Sequence, residues 1–325
     1  MRVTVTGAGG FIGGHLTRRL LDGGHDVRAV DIKRTDAWEQ LDPRAENVEA
    51  DCSYPTEARE AVDGADWVFA LAADMGGMGF IKNHKAECMM SVLTSTNTLR
   101  YALAAGVSRY FYASSACVYP GYRQSHPDSP SLAEDDAYPA DPEDGYGWEK
   151  LFSERMCRHF AEDYGIETRV ARYHNVYGPA GTWRGGREKA PAAIARKVLE
   201  AEQSGDHRID VWGDGEQTRS FMFVDDCVEG TLRLMASDHP DPLNIGSAEL
   251  VTINQLVDVA ETAVFGEPGV LARSYDLTAP QGVRGRNSDN RLCDSVLGWQ
   301  PTTPLADGMA ALVDWLRPRV AEAAA

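Results

Sequence analysis

Tyr146 and Lys150 stand four residues apart, which on a helix puts a phenol and an ammonium on one face, and the run Phe152 to Tyr164 continues that helix. A tyrosine has a reference pKa of about 10, so a neighbouring cation is needed before its phenolate can take a proton from an alcohol. The chemistry that suits this pair is removal of a hydroxyl proton while a hydride leaves the same carbon. On many helices such a pair is simply a surface feature. Here it follows a strand-like run from Tyr110 that ends in Ser114-Ser115, which puts a hydroxyl within reach of the phenol.

A hydride needs an acceptor, and the amino-terminal residues describe a site for one. Gly7-Ala8-Gly9-Gly10-Phe11-Ile12-Gly13 follows the apolar run Val3-Thr4-Val5 directly. A strand ends there, the backbone turns where a side chain would collide with a pyrophosphate, and a helix opens with its free amides toward the phosphates. Asp31 closes the next strand-like run at the distance where a carboxylate accepts from both ribose hydroxyls. The same carboxylate repels the additional phosphate of NADP, so NAD is the expected cofactor. Lys33 and Arg34 follow closely and would pull the other way if they turned inward. Asp51-Cys52 fits a loop lining the adenine, and Leu71-Ala72-Ala73 ends a strand with small residues that let a cofactor lie close. The expected cofactor contacts are therefore Gly7, Gly10, Phe11, Ile12, Gly13, Asp31, Asp51, Cys52 and Ala72, together with Tyr146 and Lys150.

The elements that must position these residues alternate through the first half. Strand-like runs at Val3 to Thr6, Val27 to Val30, Trp67 to Leu71 and Tyr110 to Ser114 are separated by helical runs from Phe11, near Thr56 to Val62, and Ala86 to Ala104. Alternation of this kind builds a parallel sheet with helices on both faces, and its ligand crevice lies at the carboxyl ends of the strands. After a strand near Thr168 to Arg172 the pattern loosens into the loop Gly178 to Gly186, a helix from Pro191, the turn Trp212 to Gly215 and a helix from Asp226. The expected fold class is α/β: a Rossmann doubly wound parallel sheet with a smaller C-terminal substrate-binding lobe. Residues 1–175 form the NAD-binding domain, about 212–246 return to it, and 176–325 supply most of the substrate-binding lobe that closes over the crevice.

Composition narrows the possibilities. A chain of 325 residues, 43% hydrophobic and 25% charged, buries a full core. A net charge of -17 argues against a nucleic-acid partner, whose phosphates need a basic surface. No apolar stretch approaches membrane-spanning length and the first strand begins at once, so no membrane partner and a cytoplasmic location are expected. The six cysteines are scattered without paired spacing, which fits reduced thiols better than a disulfide framework or a metal site.

Longer blocks then carry a resemblance. Ala72 to Gly79, Ser114 to Pro120, Gly185 to Ala192, Trp212 to Gly215, Thr218 to Phe221 and Gly282 to Asp289 resemble the extended short-chain dehydrogenase/reductases, and within them the GDP-mannose 3,5-epimerases, over nearly the whole chain. The resemblance implies that Tyr146, Lys150 and Ser115 run the redox step and that Cys117 and Lys189 are the acid and base of epimerisation. It implies that Gly76, Ser115, Asn175, Glu188, Lys189, Lys197, Gln217, Arg219 and Arg286 contact a GDP-sugar. It also implies a homodimer through the helices Ala86 to Ala104 and Tyr146 to Tyr164, whose apolar spacing agrees. Arg219 and Arg286 are the expected diphosphate clamps, since guanidinium offers paired donors to phosphate oxygens, with Arg284 a further candidate. Arg172 and His174 read as structural.

The chemistry implied is self-consistent. Hydrogens on carbons 3 and 5 of a hexose are not acidic, but a ketone at carbon 4 is adjacent to both and delocalises either carbanion. One oxidation thus opens two epimerisations, giving GDP-L-galactose when both centres invert and GDP-L-gulose when only carbon 5 does. Thiol and amine reference pKa values are about 8.5 and 10.4, so at least one must be lowered, and Arg187 is the nearest candidate in sequence. Related nucleotide-sugar dehydratases and decarboxylases carry Glu where Cys117 stands. GDP-4-keto-6-deoxymannose 3,5-epimerase/reductases (the GDP-fucose synthases) share the Ser-Cys segment but use a histidine near the place of Lys189 and work with NADPH; Lys189 and Asp31 point away from them. A redox-silent NAD-binding protein is the remaining alternative, and the complete Ser115, Tyr146 and Lys150 set exceeds what binding requires.

Overall fold

The structure, a computed structural model, describes residues 1–324. Strand β1 (Arg2–Thr6) runs into helix α1 (Phe11–Asp22), followed by β2 (Asp26–Asp31), β3 (Glu46–Glu49), α2 (Pro55–Val62) and β4 (Trp67–Ala70). A short helix α3 (Met78–Asn83) precedes the long α4 (Lys85–Ala104), then β5 (Arg109–Ser115), α5 (Asp144–Tyr164) and β6 (Glu167–Tyr173). Next come β7 (Val176–Tyr177), α6 (Ala190–Ser204), β8 (Arg208–Trp212), β9 (Thr218–Ser220), β10 (Met222–Phe223) and α7 (Val224–Ala236). The chain finishes with β11 (Leu243–Ile245), β12 (Leu250–Thr252), α8 (Ile253–Phe265), β13 (Ala272–Asp276), β14 (Gly285–Arg286), α9 (Arg291–Leu297) and α10 (Leu305–Ala324).

Seven strands form one sheet in the order β11-β6-β5-β4-β1-β2-β3, with parallel pairing throughout. From β1 the chain steps outward to β2 and β3 and then returns to β4 on the other side of β1. That reversal opens a crevice beyond the carboxyl ends of β1 and β4. The central strands are buried on both faces, and their side chains sort by the period of two that a pleated strand imposes. Phe69 and Phe111 pack with Leu16, Leu20, Val224 and Val228 under α1 and α7, while Val68, Ala70, Tyr110 and Tyr112 pack with Leu99, Ala102 and Cys157 under α4 and α5.

Within residues 212–246 the elements divide. Trp212 ends β8, which pairs with β13, and β9 lies between β12 and β14, whereas α7 and β11 join the large sheet. Cys293 of α9, with Leu292 and Val296 beside it, also packs into the core of that sheet. A second core joins α6, α8 and α10 through Leu199, Leu256, Leu312 and Leu316, and holds the smaller strands against them. Among the described residues, no helix is long and apolar enough to cross a membrane.

Candidate active site

The glycine turn is shaped by close approach. Gly7 adopts φ +78, and a methyl there would lie 2.8 Å from the Ala72 amide nitrogen; a methyl on Gly13 would lie 2.1 Å from the Gly7 carbonyl oxygen. The turn is held on β2 by the amides of Gly7 and Ala8, which donate to the Val30 carbonyl at 2.8 and 3.1 Å. Helix α1 begins at Phe11 without a side-chain cap and without an acidic residue in its first turn. Its leading amides, including those of Phe11 and Ile12, are thus available to an anion at the crevice. Asp31, buried at the end of β2, accepts from the Lys33 amide at 3.0 Å. The Lys33 ammonium folds back onto the Gly9 carbonyl at 3.1 Å, while Arg34 pairs with Asp36 at the surface. Asp51 accepts from the Ser53 amide at 2.9 Å, and burial pushes the adjacent Cys52 thiol up to about 12. An uncapped helix start, a turn without room for side chains and a carboxylate at the second strand end fit a dinucleotide.

The chemistry gathers across the crevice, at the end of β5. Ser115 pairs with Tyr173 in the sheet, and its hydroxyl accepts from the Cys117 amide at 3.2 Å. Helix α5 lies hard against this turn, because a methyl on Gly147 would be 2.3 Å from the Cys117 carbonyl oxygen. Tyr146 therefore enters an apolar pocket with Cys117, Cys88, Phe80 and Ile81. Burial pushes its phenol well above the ordinary tyrosine range, the charges of Cys117 and Glu149 add to that, and the Ser115 hydroxyl opposes it. The Lys150 ammonium lies 5.6 Å from the centre of the Tyr146 ring and 4.8 Å from that of Tyr112. Lys150 is buried beside Glu149, whose carboxylate approaches to 3.5 Å and also accepts from Ser95, Tyr112 and Ser153. The buried lysine thus has a carboxylate partner on one side and two phenol rings on the other.

Cys117 is 7% exposed, with Arg286 Nη1 3.6 Å from its sulfur. Burial pushes the thiol up, Arg286 pulls it down, and Glu143 pushes it up again. The arginine beside the thiol is thus Arg286. Arg187 instead donates to Asp74 at 2.6 Å and stacks 3.7 Å from the centre of the Phe80 ring. Lys189 is half-buried at the start of α6; burial pushes its amine down and the Cys117 sulfur opposes that, so the two groups lie within electrostatic reach.

The remaining candidates divide. Gly76 faces Phe80 and Arg187, where a methyl would lie 2.9 and 3.2 Å from their Cβ atoms, and the Gly77 amide donates to the Arg187 carbonyl at 3.0 Å. Glu188 accepts from the Gly186 amide at 2.7 Å in the same strap. Arg219 is 9% exposed and donates only to the carbonyls of Thr218, Gln281 and Val283, with no carboxylate partner among the described residues. Burial pushes it down to about 10, and neighbouring Arg286 adds to the fall. Gln217 is buried with its Oε1 unpartnered, Asn175 adopts φ +43 and donates to the Ser220 carbonyl at 2.9 Å, and Lys197 donates to the Asp210 carbonyl at 2.7 Å. Arg284 is paired with Asp214. Arg172 forms a buried ion pair with Glu154 at 2.8 Å, and His174 is buried against Asn244. Sequence reasoning passed over Glu143 and Gln124, which hold Arg286, and Asp74, which holds Arg187. An acidic residue three positions before Tyr146 was the one available signal, and it also reads as an ordinary helix start.

A nucleotide turn, a serine, a tyrosine and a lysine on this sheet define a class, and residues 3–246 match the NAD dependent epimerase/dehydratase family, to which the chain belongs. Within it, the chain is 46% identical over 321 residues to GDP-mannose 3,5-epimerase 1 of Oryza sativa subsp. japonica, covering 98% of this chain and 82% of that protein. It is 45% identical over 327 residues to the GDP-mannose 3,5-epimerase of Arabidopsis thaliana, covering 98% and 83%. Among solved structures it resembles UDP-glucose 4-epimerase of Thermotoga maritima with UDP-glucose, at a TM-score of 0.87 and 26% identity over 98% of this chain and 100% of that one. It also resembles MoeE5 in complex with UDP-glucuronic acid and NAD, at a TM-score of 0.81 and 28% identity over the same shares.

Proposed function

We propose that this protein epimerises GDP-mannose through a 4-keto intermediate, inverting carbons 3 and 5 or carbon 5 alone. The observation that carries the reading is Cys117, buried with Tyr146, bonded through its amide to the Ser115 hydroxyl and set beside the Arg286 guanidinium, with its charge felt at the Lys189 amine. The GDP-mannose assignment draws on the relatives named for that reaction. NAD, when bound, supplies the hydride acceptor and the reservoir that restores the alcohol.

Tyr146 takes the proton of the carbon 4 hydroxyl and later returns it, with Ser115 hydrogen-bonding the same oxygen and Lys150 holding positive charge behind the ring. Once carbon 4 is a carbonyl, Lys189 and Cys117 exchange protons with the adjacent carbons from opposed sides. The apolar walls of Phe80, Ile81 and Cys88 exclude water, which strengthens each of these interactions. A buried guanidinium with only neutral acceptors needs an anion, and Arg219 suits the diphosphate in that way. Gln217 Oε1 and Lys197 then lie on the nucleotide side of the lobe.

The test is incubation with GDP-mannose in deuterated water, with the position of the label read by NMR. Deuterium at carbon 5, or at carbons 3 and 5, is expected. Label at neither would overturn the reading.

Met89, Met90 and Leu93 of α4 and Trp148 and Phe152 of α5 are large apolar side chains exposed on packed neighbouring helices. A second copy covering that face makes a homodimer the expected assembly, which light scattering checks. Six free thiols agree with a cytoplasmic location.

A further inference from the structure

A proton carrier needs a group that gains and loses a proton; it does not need an ion pair at its side. Cys117 has one. Each nitrogen of the Arg286 guanidinium has a partner: Nε donates to Gln124 Oε1 at 2.6 Å, Nη1 approaches the Cys117 sulfur at 3.6 Å, and Nη2 donates to Glu143. Gln124 is itself fixed, donating to the carbonyls of Tyr119 and Pro120 at 3.0 and 3.2 Å. Glu143 is held from the other side, since its amide donates to the Cys117 carbonyl at 3.0 Å and it caps the helix that carries Tyr146. Carboxylate, guanidinium and sulfur thus form one rigid row.

A guanidinium this close would by itself favour a thiolate. A carboxylate on the same guanidinium opposes that preference and favours the thiol. The charged and titratable groups facing Cys117 are Glu143 and Tyr146 from the start of α5, Cys88 from α4, Arg286 from β14, Arg219 from β9 and Lys189 from the start of α6, with Ser115 two residues before it. Glu143 is the one whose charge opposes the arginines. Although burial raises its carboxyl, Arg286 and then Arg219 hold it below the ordinary carboxylate range, so it stays ionised.

We propose that Glu143 is a positioning residue for proton transfer: by sharing the Arg286 guanidinium with the Cys117 sulfur it sets how readily that sulfur gives up its proton. The proposal deepens the epimerase reading and rests on it for the catalytic half. The proton count balances. The carbon–hydrogen bond that breaks gives its proton to one member of the Cys117 and Lys189 pair, and the bond that forms on the opposite side of the sugar takes a proton from the other member.

The test is the pH profile of Cys117 alkylation by iodoacetamide, followed by peptide mass spectrometry on the NAD-bound enzyme without sugar. Glu143→Gln is expected to lower the midpoint by about 1 pH unit or more, because the guanidinium then acts unopposed. Glu143→Asp, which draws the carboxylate back by one methylene, shifts it the same way by less. Deuterium incorporation in Glu143→Gln falls at least about tenfold. A profile for Glu143→Gln that superposes on wild type overturns the proposal. If that variant loses NAD binding, the Asp variant decides, and an unshifted midpoint overturns it equally. Because alkylation needs no substrate, wild-type enzyme that fails to label GDP-mannose would sink the epimerase reading while leaving this outcome separate.

Discussion

The two ends of the crevice are built on different principles. At the cofactor end, Gly7, Gly10, Gly13 and Asp31 lie within one β-α-β unit, and most of what they offer is backbone and empty space. At the proposed proton-transfer end, Ser115 ends β5 and Cys117 lies in the turn after it, Glu143 precedes and Tyr146 opens α5, Lys189 precedes α6 and Arg286 ends β14, and what they offer is side-chain chemistry. Sites of the first kind fail when volume is added. Those of the second fail when a functional group is removed.

The sharpest way to break that contrast is Tyr146→Phe. It keeps the ring and removes one oxygen, so turnover should fall about 10³-fold while NAD affinity, measured by titration, changes little. A comparable loss of NAD affinity would show the two ends to be one site. Cys117→Ser is expected to cut deuterium incorporation about 10²-fold and leave the transient reduced-nicotinamide absorbance, separating the two proton-transfer steps from each other. Gly13→Ala tests the opposite end. Its methyl must displace the Gly7 carbonyl, and overpacking of about 1–3 kcal/mol should weaken NAD about tenfold and lower the melting temperature, with no change in the pH profile of Cys117.

The smallest effect concerns a group outside both ends. Burial pushes His174 down to about 3, so the folded protein keeps it neutral while the unfolded chain protonates it near 6.5. Between those values the unfolded state binds more protons, and stability declines as pH falls through 6.5 toward 3. Thermal melts of His174→Gln should lose part of that slope relative to wild type; parallel slopes would mean that the histidine titrates alike in both states.

Legibility followed the same divide. The glycine turn, Asp31 and the Tyr146–Lys150 spacing can be read because each depends on neighbours in sequence, and periodicity places the strands that carry them. The row Glu143–Arg286–Cys117 joins positions 143 and 169 residues apart, and no local pattern announces it. Arg187 illustrates the limit well: it is close to Lys189 in the chain, yet its charge is spent on Asp74 across the crevice. The packing of α9 under the large sheet was equally hidden, since a short helix late in the chain carries no mark of which core it will join.

The strap in which Gly77 donates to the Arg187 carbonyl, and Arg187 in turn clasps Asp74 over Phe80, sets a clock. On the proposed reading, a half-processed ketosugar that drifts out before its alcohol is restored leaves behind an enzyme in the wrong redox state, idle until rescued. Fidelity in such a catalyst is therefore a race between opening and completion, and one exposed ion pair with one amide bond sets the handicap.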